Sequence, residues 1–268
     1  MVTPVCLEYH PSPSLAPYVE CFWSLELTLP GDATSSHRVL PDGCIDILFD
    51  LAPPPAASSA EPGFVIGAMT RPILVWSRGQ RRLVAVRFRP GGAFPFFGLA
   101  IGELTDGRAE LGALWTGEAL SARLREAQGV PEALRHLEAA LLGRLPAARS
   151  LEGPLRHALS ALCARPHAAA IEELSREIGW SRQHLTRRFT TCVGLGPKQL
   201  ARVLRLRRLL RRVPSAGASS ALDWATLAAE AGYYDQAHLI GEFRALVGLT
   251  PGQWARERFQ ISKPEGAP

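Results

Sequence analysis

The sequence predicts an α+β chain of two domains, a small β-barrel-type N-terminal domain carrying some helices and an all-helical C-terminal domain. Three observations predict it. Between residues 22 and 88, short apolar runs alternate with Gly/Pro clusters, the pattern of strands joined by tight turns. From residue 154 onward no strand-like run occurs, and apolar residues recur every three or four positions, the helical period. Charge divides at the same place: residues 1–150 hold 13 basic and 15 acidic side chains, net −2, whereas residues 151–268 hold 17 and 10, net +7. A chain of 268 residues that is 47% hydrophobic and 21% charged has enough apolar content for two cores and is not a largely disordered polymer. We therefore expect domains over 1–150 and 151–268.

In chain order, the strand candidates are Phe22 to Leu29, Cys44 to Phe49, Phe64 to Ile66, Ile73 to Trp76 and Leu83 to Phe88, separated by turns such as Pro30-Gly31-Asp32 and Pro53-Pro54-Pro55. After Arg89-Pro90-Gly91-Gly92 the pattern turns helical, through Leu111, Leu114, Trp115, Leu120 and Leu124, then Leu134, Leu137 and Leu141. Arg89-Pro90-Gly91-Gly92 reads either as a plain strand-to-helix turn or as an anion nest. The stretch Leu145 to Gly153 is the expected linker.

Several function classes lose support at once. No apolar run reaches the roughly 18 residues of a membrane span, and the first twenty residues carry Glu8, His10 and Glu20 in place of a basic and apolar leader; a soluble cytoplasmic protein is expected. The five cysteines are odd in number and form no CxxC pair, which suggests buried free thiols. His10 and His37 are isolated and no His-x-His pair occurs, so no metal is expected. Nucleotide-binding glycine loops, nucleophile elbows and zincin helices are also missing, and no cofactor is expected. Asp42 and Asp46 resemble an acid/base pair in spacing, but turn and strand-edge roles suffice for both.

Two segments of the basic half repeat one another. In the first, Ile171, Leu174 and Ile178 form an apolar stripe, Gly179 closes the helix, and Ser181 is placed to cap a second helix whose inner residues are Leu185 and Phe189. In the second, Asp223 caps a helix with Leu227 and Ala231, Gly232 closes it, and Asp235 caps a helix with Leu239 and Phe243. Two helices joined by so short a turn define a helix-turn-helix, whose second helix enters the DNA major groove. A capping box, Thr250-Pro251-Gly252-Gln253, opens a last helix with Trp254.

At about 100° per residue, Gln183, Thr186 and Arg187 lie on the outer face of the first unit's second helix, beside Thr190. They are the base-reading candidates, because arginine pairs bidentately with guanine and glutamine with adenine. On the second unit Ala237 and Gly241 point outward, leaving Gln236 as the polar candidate. Arg182, Arg188, Lys198, Arg202, Arg205 and His238 are candidates for phosphate contact. The segment Pro197 to Val213 carries several of these charges beside an apolar stripe, so it reads either as a phosphate-contacting rod between the two units or as a core helix with a solvated basic side.

Residues 155–258 resemble the DNA-binding domain of AraC/XylS-type transcription regulators. The match runs through Gly179-Trp180-Ser181, Leu185, Arg187, Phe189, Gly194 and Pro197, then Ala228, Gly232-Tyr233-Tyr234-Asp235-Gln236-Ala237-His238-Leu239, Phe243-Arg244, Gly248 and Thr250-Pro251. Leu40-Pro41-Asp42-Gly43-Cys44-Ile45-Asp46 and Phe88-Arg89-Pro90-Gly91-Gly92-Ala93 resemble a subgroup whose N-terminal half is a shortened cupin-like sensor of unassigned ligand. Gly241 departs from the resemblance, since the family commonly places arginine there. The resemblance implies a regulator binding double-stranded DNA through two adjacent major grooves. Its N-terminal domain would act through a small-molecule effector or by self-association as a homodimer, and RNA polymerase would be a further partner. Trp23, His37, Trp76 and Arg87 are the candidate effector-pocket residues. The alternatives are an enzyme on the N-terminal barrel and a non-specific nucleic-acid packaging protein.

Overall fold

The computed structural model describes residues 5–52, 63–97, 99–115, 118–145, 150–166, 171–213 and 222–261. Its eight strands are β1 (Val5–Tyr9), β2 (Val19–Thr28), β3 (Thr34–Val39), β4 (Ile45–Asp50), β5 (Gly63–Ile66), β6 (Ile73–Arg78), β7 (Gln80–Phe88) and β8 (Arg108–Glu110). Six form an antiparallel sheet in the order β1-β2-β7-β4-β5-β8, and β3 pairs with β6 in a separate ribbon. The large sheet is open, ending in β1 on one side and β8 on the other. All five strands expected from the sequence are present. β1, β3 and β8 were not expected, because they bury little: Val5 and Leu7 are exposed, and β3, Thr-Ser-Ser-His-Arg-Val, has no apolar alternation to reveal it.

β7 lies between β2 and β4, and Val84, Ala85 and Val86 are buried in succession, so both of its faces are covered. The helical hairpin of α3 (Glu118–Glu126) and α4 (Val130–Arg144) packs on itself, with α4 against β7. Before it come α1 (Phe94–Phe97) and α2 (Leu111–Leu114). Phe96 and Phe97 of α1 pack on Phe88, at ring-centroid distances of 5.5 and 6.2 Å, and Phe97 stacks on Trp115. The indole N–H of Trp115 is satisfied by the Phe96 carbonyl at 3.2 Å.

The C-terminal part is helical: α5 (Gly153–Ala164), α6 (Ile171–Glu177), α7 (Arg182–Val193), α8 (Pro197–Leu210), α9 (Trp224–Ala231), α10 (Gln236–Val247) and α11 (Pro251–Ile261). The expected linker lies between α4 and α5, with residues 146–149 outside the described set. Among the described residues, no helix is long and apolar enough to cross a membrane. Cys21, Cys44 and Cys192 are buried thiols as expected, but Cys6 and Cys163 are exposed.

Sheet and helices share one continuous core. Gly43 sits against Leu200 of α8, and the 3₁₀ turn Ile101–Leu104 packs on α7, with Gly102 against Thr190. Arg89-Pro90-Gly91-Gly92 forms a type II turn: Gly92 N–H donates to the Arg89 carbonyl at 2.7 Å, and Gly91 has φ +76°. A Cβ on Gly91 would lie 2.7 Å from Leu159 Cδ2 of α5. The glycine is thus required both by the turn and by the close approach of α5.

Gly91→Ala is expected to destabilise the protein by about 1–3 kcal/mol through positive-φ strain and overpacking. Gly143→Ala, in α4 with open space at its Cβ position, is expected to stabilise it by about 0.5–1 kcal/mol. Urea unfolding of the two variants checks both signs.

Candidate DNA-binding surface

The two units share the same turn chemistry. In each, the fold-back glycine has positive φ, +71° at Gly179 and +84° at Gly232. Trp180 N–H reaches the Ser175 carbonyl at 2.8 Å and Gly179 N–H the Arg176 carbonyl at 3.2 Å; Tyr233 to Ala228 at 2.9 Å and Gly232 to Ala229 at 3.1 Å repeat the pattern. This is the Schellman closure, which satisfies the last carbonyls of the first helix and redirects the chain. Ser181 Oγ then accepts from His184 N–H at 3.2 Å and Asp235 Oδ1 from His238 N–H at 2.7 Å, capping α7 and α10. Asp223 caps α9 through Ala225 and Thr226, and the Thr226 hydroxyl and amide hold its carboxyl below the usual range. The capping box at Thr250 and Gln253 forms in both directions, at 3.2 and 2.9 Å.

Leu185 and Phe189 of α7, and Leu239 and Phe243 of α10, are fully buried. Opposite them, Gln183, Thr186 and Arg187 are exposed on one face of α7. Arg187 Nη2 lies 3.4 Å from His184 Nδ1, and the His184 ring packs edge-on against Trp180 at 4.5 Å. The arginine, in the middle of α7, therefore stands beside a ring held at the helix's first turn. On α10 the exposed face holds Gln236, Ala237 and Gly241, and a Cβ at Gly241 would meet nothing within 4 Å. Arg244 is exposed on the same helix. It was visible in the sequence only as one residue of the matching stretch and was not singled out as a contact.

The candidate phosphate contacts divide. Arg182 and Lys198 are exposed. His238 is exposed, but its Nδ1 accepts from Tyr234 N–H at 3.3 Å and its ring rests on Tyr233, so it braces the turn. Arg188 is paired with Glu152 at the start of α5. Arg202 Nε donates to Glu242 Oε1 of α10 at 2.6 Å and its Nη1 to Gln199 at 2.9 Å. Arg205 lies over the ring of buried Tyr233 at 5.4 Å. Burial, reinforced by Glu242, pushes the Tyr233 phenol up, so it stays neutral beneath that guanidinium. These three arginines hold helices to one another. Helix α8 ends at Leu210, short of the expected Val213, and its 14 residues span about 21 Å.

The four effector-pocket candidates do not converge. Arg87 and Trp23 meet at Asp46: Arg87 Nε is 3.2 Å from Asp46 Oδ1 and 3.4 Å from Asp42 Oδ2, and Trp23 Nε1 donates to Asp46 Oδ1 at 3.4 Å. Burial pushes the Asp46 carboxyl up to about 6 against the opposing charge of Arg87. Asp42 Oδ1 also accepts from Cys44 N–H at 2.8 Å, a local turn bond. His37 and Trp76 belong to the β3–β6 ribbon, where His37 pairs with Val75 and Trp76 with Ser36. The pleat therefore sends them to opposite faces. Trp76 is 66% exposed, and burial pushes the His37 imidazole down.

Residues 174–257 match the helix-turn-helix domain family, and residues 7–110 match a domain of unknown function, DUF6597. The two matches together span more than two thirds of the chain. None of the curated proteins compared matches it. Solved structures of ToxT from Vibrio cholerae are similar at low identity. One is 11% identical with TM-score 0.40, over 87% of this chain and 97% of that one. A form bound to (E)-4-(8-methylnaphthalen-1-yl)but-3-enoic acid is 10% identical with TM-score 0.41, again over 87% and 97%. An unsaturated-fatty-acid-bound form is 9% identical with TM-score 0.38, over 95% and 94%. The protein is a DNA-binding transcription regulator. Its C-terminal part carries a helix-turn-helix domain, and its N-terminal part is a domain of the DUF6597 family.

Arg187→Ala is expected to weaken binding to the cognate duplex by about 1–3 kcal/mol and to relax base preference at one position. Titration of labelled duplexes substituted at each base pair measures both, and unchanged affinity with unchanged preference would refute the assignment. Gly241→Arg, for which space is open, is expected to raise sequence selectivity in the half-site under α10. Footprints of the two proteins on the same site reveal the difference.

Proposed function

We propose that the chain reads a specific DNA site with α7 in one major groove while α10 enters the next, and that residues 1–150 modulate this engagement. The exposed row Gln183, Thr186 and Arg187, on a helix capped and folded back in the same way as α10, carries the reading. Arg182, Lys198 and Arg244 supply phosphate contacts, because Arg188, Arg202 and Arg205 are engaged inside the protein. With Ala237 and Gly241 at the centre of its exposed face, flanked by Gln236 and Arg244, α10 positions the protein through backbone and shape more than through base edges. The protein works in the cytoplasm on duplex DNA, and its N-terminal part acts through a small effector, self-association or contact with RNA polymerase. A regulator is favoured over an enzyme because Asp42 and Asp46, the carboxylate pair of the N-terminal part, are held by Arg87 and a turn amide.

Selection of bound duplexes from a random library at about 150 mM salt, where non-specific attraction is weakened, tests this. The expected outcome is one enriched motif spanning two helical turns, with stronger base preference in the half contacted by α7. Equal recovery of all sequences, with or without cell-extract small molecules, would overturn sequence-specific reading.

A further inference from the structure

A cavity of 890 Å³ lies between the sheet and the helical part, and neither part encloses it alone. The turn at Pro90 and the stretch around Tyr18 form one wall; α5 and the C-terminal end of α8 form the other. Among the described residues, six arginines line it, Arg89, Arg156, Arg207, Arg208, Arg211 and Arg212, with one lining carboxylate, Glu20, and Glu230 pairs with Arg212 from outside it. Tyr18, Leu159 and Leu204 add apolar surface. Guanidinium groups gathered in a concave site with an apolar floor fit a small anion that has a compact hydrophobic body.

Glu20, on β2, is already the counter-ion of this site. It is hydrogen-bonded to Arg207 and lies 3.5 Å from Arg211, both at the end of α8. Burial is the largest single influence and would raise the Glu20 carboxyl, but the hydrogen bond and charge of Arg207, with the Cys44 thiol and the charge of Arg87, together outweigh it and hold the group below the usual carboxylate range, so it stays charged. Cys44 Sγ lies 3.4 Å from Glu20 Oε2 and 3.6 Å from Arg207 Nη1, which extends the contact into the turn before β4. Arg212 pairs with Glu230 at 3.4 Å, Arg89 Nε donates to the Ala16 carbonyl at 3.0 Å and Arg208 donates to the Ala164 carbonyl at 2.8 Å, whereas Arg207 and Arg211 share Glu20, and an incoming anion would share or replace the bonds of Glu20 to α8.

We infer that this cavity is the effector site of the regulator, that it takes a small organic dianion such as a phosphomonoester or dicarboxylate bearing a ring or short chain, and that the ligand acts on α8 by competing with Glu20 for Arg207 and Arg211. The inference rests on the regulator reading only for its consequence; binding itself is measured without DNA. Arg156 and Arg211 are exposed and outside the core, so their replacement leaves packing intact.

Isothermal titration of the full-length protein with phenyl phosphate and with phthalate distinguishes the two dianion sources, and phenol serves as the uncharged control. One-site binding of at least one dianion is expected, with none for phenol. Affinity is expected to fall about tenfold in each of Arg156→Ala and Arg211→Ala, the scale of one charged hydrogen bond, to rise in Glu20→Gln, and to stay unchanged in Arg187→Ala. No binding of either dianion at millimolar concentration, or binding indifferent to Arg156→Ala and Arg211→Ala, would overturn the site while leaving the DNA-reading result untouched. Displacement of a bound dianion by non-specific duplex in the Arg187→Ala protein would also overturn it, by making these arginines part of the DNA surface. A dianion that binds as expected but leaves affinity for the selected duplex unchanged would overturn the link to α8.

Discussion

The burial of α8 is the constraint on which the rest of the structure depends. Leu200, Val203, Leu206 and Leu209 are wholly inaccessible and Ala201 nearly so, so the helix is surrounded over most of its length. It packs against α5, α7, α9 and α10, and the Gly43 turn of the N-terminal part rests on Leu200. A helix so enclosed cannot rotate or slide without opening a core that would cost several kcal/mol. The positions of both helix-turn-helix units are therefore set by one element.

That constraint also governs charge. The arginines of α8 occupy the side left over by its apolar face, and most of it is occupied by neighbouring helices. Arg202 meets Glu242, Arg205 the Tyr233 ring, Arg207 Glu20, and Arg208 the Ala164 carbonyl at 2.8 Å. A guanidinium held by a carboxylate at such a place orders the helices but offers less attraction to a phosphate. The net charge of the C-terminal part, +7 by count, is thus a poor guide to where DNA is gripped. Among the charges that stay exposed, Arg182 and Arg187 are on α7, Lys198 on the first turn of α8 and Arg244 on α10.

The N-terminal sheet meets the helical part through a sequence of polar and apolar contacts. The type II turn at Gly91 seats against Leu159, the 3₁₀ turn touches Thr190 near the end of α7, and Glu20 holds the end of α8. Ion pairs across such a contact are weakly stabilising but sensitive to a competing anion, because each guanidinium can exchange one acceptor for another. These contacts from the N-terminal part fall on α5, α7 and the end of α8.

The helix-turn-helix pair was legible in the sequence because its determinants are local. Gly179, Ser181, Gly232, Asp235 and Thr250 specify positive φ or a cap within four residues of where they act, and the apolar period of Leu185, Phe189, Leu239 and Phe243 fixes the outer face by subtraction. The strands with buried alternation were legible for the same reason. β1, β3 and β8 were not, since an exposed edge or ribbon leaves no apolar period, and their pairing is settled by partners distant in the chain. The fate of individual charges was likewise undetermined by sequence. Arg202 and Arg182 look equally available along the chain, yet Glu242 lies 40 residues from Arg202 and beside it in space. The expected pocket of Trp23, His37, Trp76 and Arg87 failed to assemble because two of its residues lie on a ribbon whose pleat separates them. Sequence determined the helix-turn-helix elements, their caps and their exposed faces, which depend on a few neighbouring residues. Only the tertiary structure decided which arginines are neutralised and where a cavity opens, because both depend on contacts between segments the chain brings together only on folding.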